Sequence, residues 1–195
     1  MKYKEYIDKL IKEEISNNII SDEDKKIVLN AYYKYQSLDQ NNDPLLKLMK
    51  SNPDLIKRFS KFTQSQLTKN SYYGERGQTD TGLLSMYDEF GYDIPSDYRI
   101  HPLNKICSFS ENNISTEFKK SPEILHAKIP KDLIFYHYKV KYDNSKQPTG
   151  EREIVLLDCN FKISGLIGDT DGDTGRKFLN YATGIIVPKS NTNLH

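Results

Sequence analysis

Glu151 and Glu153 stand two residues apart at the head of the apolar run in "TGEREIVLLD". Successive side chains of a strand alternate faces. Glu151 and Glu153 then share a face with Val155 and Leu157, and Arg152 turns to the other face with Ile154, Leu156 and Asp158. At that spacing two Cα atoms lie roughly 6.5–7 Å apart. Two carboxylates so placed can bracket one reacting bond, one stabilising a sugar-like cation while the other handles a proton. A solvated strand end facing a basic partner on the next strand would read the same way.

Two weaker features precede the pair. "KICSFSENN" sets Ser108 and Ser110 on one face of a short strand, where hydroxyls can bond a carboxylate or hold a strand end. Arg76-Gly77 closes a strand-like run in "YYGERGQ". A guanidinium there can fork onto a phosphate, and a glycine lets a ligand approach the backbone.

The elements that must hold these residues change type along the chain. Tyr3, Ile7, Leu10, Ile11 and Ile15 recur at helical spacing. Ser21 followed by acidic residues starts a second helix, and Asn52-Pro53 starts a third. From Tyr72 the texture becomes loops and short β-type runs: "KICSFS", "ILHAKI", "LIFYHYKV", "EIVLLD", "FKISGLI" and "YATGIIV". "NNISTEFKK" reads as one short helix among them, and "DEFGYDIPSDYRIHPLN" as loop. Helices first and strands later predict an α+β protein with a mostly antiparallel sheet. The expected organisation is one domain over 1–195, helical over 1–66 and β-rich over 67–195.

Composition narrows the function classes. With 28 basic and 27 acidic residues, nothing draws the chain in bulk to nucleic acid or an anionic membrane. No run reaches the length of a membrane span. The N-terminus lacks the uninterrupted apolar segment of a secretory signal, so a cytoplasmic, reducing setting is expected. Cys107 and Cys159 are too few and too far apart in sequence for a disulfide framework or a cysteine zinc site. His101, His126, His137 and His195 show no metal spacing, and "DTDGDTG" reads as a hairpin turn that lacks the glutamate of a calcium loop. No metal is expected.

The order Arg-Gly, Ser-x-Ser, Glu-x-Glu resembles the mono-ADP-ribosyltransferases of the Arg-Ser-Glu type, most of all the small arginine-modifying enzymes of tailed bacteriophages. "LTKNSYYGERG" resembles the family's first core strand. "KICSFSENNISTEF" resembles its Ser-Thr-Ser strand and following helix, with Phe109 where the family has threonine. "ILHAKIPKDLIFYHY" resembles the next two strands, and "GEREIVLLDCNFKI" the Glu-x-Glu strand with its hairpin partner. Glu75 stands where the family has an aromatic or apolar residue, and Arg99 is a rival for the arginine position.

The resemblance implies two small, roughly perpendicular, mostly antiparallel sheets forming a cleft for NAD⁺, the substrate. Glu153 would stabilise the cation formed as nicotinamide leaves the ribose. Glu151 would take the proton of the acceptor, an accessible arginine on a target protein. Arg76 would hold the phosphates or adjoining ribose, Gly77 the nicotinamide amide, and Ser108 and Ser110 would line the same site, Ser108 buttressing Glu153. Phe118 would pack near the nicotinamide. The polar stretch "YDNSKQPTG" would touch the target protein.

Overall fold

The computed structural model describes residues 20–34, 43–78, 82–111, 121, 123–142, 152–170, 172–174 and 177–189. The expected helices over 3–15 and 112–120 lie outside these residues, as does nearly all of "YDNSKQPTG". The chain divides into two compact units, Met1–Leu67 with Val140–Thr149, and Thr68–Lys139 with Gly150–His195.

The first unit contains α1 (Asp22–Tyr33), α2 (Pro44–Ser51) and α3 (Pro53–Gln66). Each starts on a side-chain cap. Ser21 accepts from Asp24 N, Asp43 from Leu45 N and Leu46 N, and Asn52 from Leu55 N. Proline at the first position of α2 and α3 supplies a preset φ where no N–H is needed. Val28, Leu45, Leu55 and Phe59 are buried. Phe59 stacks on Tyr142 at 5.0 Å between ring centroids, and the Tyr142 hydroxyl lies 3.1 Å from Thr63 Oγ1.

In the second unit β1 (Ser71–Gln78), β2 (Ile100–Pro102), β3 (Ile106–Ser110), β4 (Glu123–Pro130), β5 (Ile134–His137), β6 (Glu153–Leu157), β7 (Cys159–Thr170) and β8 (Lys177–Pro188) join in the order β2-β7-β8-β4-β1-β3-β6-β5. Every neighbouring pair is antiparallel except β4 with β8. Among the described residues one α-helix, α4 (Leu83–Phe90), accompanies them. The sheet has a weak seam. Among the described residues β1 and β3 share one residue pair, Glu75 with Ser110. Every other neighbouring pair shares at least three. Five strands thus lie on one side of the seam and three (β3, β6, β5) on the other.

The seam is tight because Gly74 lies against Phe109. A Cβ built at Gly74 would stand 2.7 Å from Phe109 Cβ and 3.2 Å from Ile129 Cδ1. Only glycine lets the two strands cross there.

One expected pairing is absent. β6 and β7 are consecutive but form no hairpin; β6 pairs with β3 and β5, and β7 with β2 and β8. Asp158 between them adopts φ 47, a left-handed conformation that aspartate tolerates better than most residues. Its N–H donates to Lys105 O and its carbonyl accepts from Lys189 N. The chain is therefore turned from one strand group into the other. The hairpin at "DTDGDTG" does form, between β7 and β8.

Candidate functional site

Register fixes which candidate side chains meet. β3 and β6 pair over five residues, from Ile106 with Leu157 to Ser110 with Glu153. Directly paired residues project to one face. Ser110 is therefore the serine opposite Glu153, and Ser108 lies opposite Val155, one pair along on that face. Glu153 and both serines are half-buried.

The row continues through the seam. Ser110 pairs with Glu75 on β1, Glu75 with His126 on β4, and His126 with Thr183 on β8. Side-chain contacts agree with the register. Glu75 Oε1 lies 3.6 Å from His126 Nδ1, and the His126 ring packs on Tyr181 at 4.5 Å.

Arg76 projects to the opposite face of β1. Its Nη1 donates to Ser108 O at 2.9 Å, while its Nε is buried with no hydrogen-bond partner. Gly77 follows it, paired with Ile124. Arg99 lies elsewhere. It caps the short 3-10 turn Ser96–Tyr98, its Nε donates to Ile94 O, and it leads into β2, the strand at the end of the sheet order away from β6 and β5. Glu151 and Phe118 lie outside the described residues.

A polar cluster that the sequence reading missed clamps the strand ends carrying Ser110 and Glu153. Glu111, buried on the face opposite Ser110, lies 3.3 Å from Lys139 Nζ and 3.7 Å from His137 Nε2. Its N–H donates to Arg152 O at 2.8 Å, and Tyr138 N donates to Glu153 O at 3.1 Å. Burial works to raise the Glu111 carboxyl, but hydrogen bonds from Tyr138 and Lys139, with the charge of Lys139 and the neighbouring His137, hold it below its ordinary range. Burial drives His137 the other way, down to about 4, against the opposing pull of Glu111. Lys139 N donates to His137 Nδ1, which assigns the ring proton of the neutral imidazole to Nε2, toward Glu111. The sequence signal was a lone Glu beside Ser110 and a His in an apolar strand, with nothing to join them.

Both cysteines are buried free thiols, pushed up to about 12 chiefly by burial. Neither has the character of a nucleophile. Among the described residues no helix is long and apolar enough to cross a membrane, and no three His, Cys, Asp or Glu side chains gather as a metal site.

No family model and no curated protein matches this chain. Solved structures do. The enzymatic component C2-I of the C2-toxin from Clostridium botulinum matches with a TM-score of 0.50 at 14% identity, over 86% of this chain and 44% of that one. This chain thus spans less than half of C2-I. Plx2a, an ADP-ribosyltransferase toxin from Paenibacillus larvae, matches with a TM-score of 0.44 at 19% identity, over 94% of this chain and 96% of that one. C3larvin toxin, an ADP-ribosyltransferase from the same organism, matches with a TM-score of 0.37 at 16% identity, over 84% and 94%. The likeness to C2-I is one of fold: the chain has an α+β, ADP-ribosyltransferase-like fold.

Proposed function

We propose that the protein is an NAD⁺-dependent mono-ADP-ribosyltransferase that transfers ADP-ribose to arginine on a target protein. The observation that carries this reading is the pairing of Ser110 with Glu153 on adjacent strands, in a fold of this class. In the proposed reaction the bond between nicotinamide and C1′ of its ribose breaks. Nicotinamide leaves with the electron pair, and positive charge develops on the ribose. Glu153 supplies a fixed negative charge beside that cation, and a hydroxyl at Ser110 or Ser108 holds the carboxylate in place. A guanidinium nitrogen of the acceptor attacks C1′ and gives up a proton, which Glu151 accepts and passes to water. A base close to the acceptor is needed because a guanidinium stays protonated at neutral pH.

Arg76 fits an anionic ligand. It is a permanent cation, proposed to hold the phosphates or the adjoining ribose while its Nη1 donates to Ser108 O. Gly77 and Phe118 are proposed to contact the nicotinamide end. The sequence resemblance to bacteriophage enzymes makes a bacterial protein the target to seek.

Incubation with NAD⁺ labelled in its adenylate half and a bacterial lysate tests the reading. Labelled protein together with free nicotinamide supports transfer. Nicotinamide without labelled protein points to an NAD⁺ glycohydrolase in the same site. Neither product would leave a non-catalytic binding module.

A further inference from the structure

Glu111 is a buried carboxylate that the proposed reaction leaves unused. It follows Ser110 at the end of β3, and β6 lies between β3 and β5 in the sheet. Its N–H donates to Arg152 O at 2.8 Å, from one side of β6. Its carboxylate reaches across to the residues that end and follow β5: Lys139 Nζ at 3.3 Å, His137 Nε2 at 3.7 Å, and the Tyr138 hydroxyl. Tyr138 N in turn donates to Glu153 O at 3.1 Å, from the other side of β6. These contacts close a ring that runs from Glu111 through Arg152, Glu153 and Tyr138 back to Glu111. The backbone of Glu153 lies within it.

The ring also stands where the chain leaves this unit. After Lys139 it passes into the first unit, and it returns at Gly150. Glu111 therefore holds both flanks of that excursion, Lys139 by its side chain and Arg152 by its carbonyl. Strand ends are where local opening is easiest, so the start of β6 depends on what ties it down. Stability alone does not ask for a carboxylate here. Taking a charge out of water is costly even when it is paired, and an apolar side chain of similar volume often serves as well. An ionised side chain adds direction: it must meet its donors at set positions. In doing so it aligns the ends of β3 and β5 on either side of Glu153.

We propose that Glu111 is a positioning residue: its carboxylate staples the end of β5 to the end of β3 and thereby holds Glu153 where the ribose cation forms. The catalytic part rests on the transferase reading. The staple itself stands on the ring of contacts.

The test uses the full chain and Glu111→Gln, which keeps the volume and removes the charge that faces Lys139. Hydrogen exchange is measured first, without NAD⁺. The Tyr138 amide, whose sequence neighbours are unchanged, should exchange about tenfold faster or more, while amides of β7 and β8 keep their wild-type rates. Nicotinamide release is measured second. Its kcat should fall about tenfold or more, with KM for NAD⁺ within about twofold, because the change displaces a charge that acts in the transition state and removes no contact to the substrate. Lys139→Met should lower kcat as well. The double variant should lose less than the product of the two single losses, because the two side chains act as one unit. Ile186→Ala, a core change on β8, should keep the wild-type kcat below its melting transition although it too is less stable. Thermal melts check folding, and if Glu111→Gln does not fold, Lys139→Met carries both readouts. Unchanged exchange at Tyr138, an unmoved kcat, losses that multiply in the double variant, or an equal loss in Ile186→Ala overturns the inference. A wild type that leaves NAD⁺ intact removes the transferase reading and the catalytic role with it, while the exchange result still decides the staple.

Discussion

Ser110 and Glu153 are paired residues at the ends of two antiparallel strands, and the backbone on either side of them is bonded across: Glu111 N to Arg152 O and Tyr138 N to Glu153 O. The hydroxyl and the carboxylate are therefore set by the sheet itself and not by a loop.

That pairing ranks the two serines. Ser110→Ala removes the hydroxyl directly opposite Glu153, and Ser108→Ala removes one placed a pair further along. Loss of a hydrogen bond to a charged group costs about 1.5–3 kcal/mol, or about tenfold or more in rate. Nicotinamide release should fall by that factor in Ser110→Ala and by distinctly less in Ser108→Ala. The opposite ranking would mean that the working register differs from this one.

The seam between the strand groups gives a stability prediction. Gly74→Ala would place a methyl 2.7 Å from Phe109 Cβ, and both atoms belong to backbone-anchored positions. Overpacking of this kind costs about 1–3 kcal/mol. The urea midpoint should drop at unchanged slope. An unchanged midpoint would show that the strands can separate freely at this crossing.

The clamp beneath the pair gives a pH prediction. Burial holds His137 at about 4, below its unfolded value of 6.5. Below 6.5 the unfolded chain binds a proton that the folded chain refuses. Stability is thus full above that value and falls as pH drops toward 4, by on the order of 3 kcal/mol in all. Glu111, held below its ordinary range, acts in the same direction, because its stabilisation is lost on acidification through its folded value. Urea denaturation of wild type at about pH 7 and about pH 5 should show a loss of about 2 kcal/mol from the histidine. His137→Gln should flatten that dependence. An equally steep dependence in the variant would assign the acid sensitivity to other groups.

What could be read from sequence was what local chemistry controls. Ser21 and Asn52 cap their helices as expected, and each of the six β-type runs contains strand, though only Ile134–His137 of "LIFYHYKV" is extended. α2 is legible in the same way, since Asp43-Pro44 carries the cap-and-proline start that Asn52-Pro53 carries. α4 was not legible in this way. Its N-cap is Gly82, which offers no side chain, and Leu84 N is satisfied by the buried carboxylate of Glu123, 39 residues away on β4. β2 is three residues long and exists through its pairing with β7.

The candidate site divides similarly. Alternation along β6 follows from sequence, and so does the opposition of Glu75 and Arg76 along β1. Which of those two shares a face with Glu153 depends on registers between strands far apart in the chain, and a shift of one residue would reverse the answer. The choice between Ser108 and Ser110 hangs on the β3–β6 register in the same way. The clamp of Glu111, His137 and Lys139 joins two strands across a sheet, which no local pattern records.

The most direct measurement compares nicotinamide release from NAD⁺ by wild type and Glu153→Gln, a change that keeps side-chain volume and removes the charge assigned to the developing cation. Wild type should release nicotinamide and label a protein acceptor. Glu153→Gln, folded by thermal melt, should do so slower by about a hundredfold or more. Equal rates in the two proteins, or a wild type that leaves NAD⁺ intact with every acceptor offered, would contradict the account.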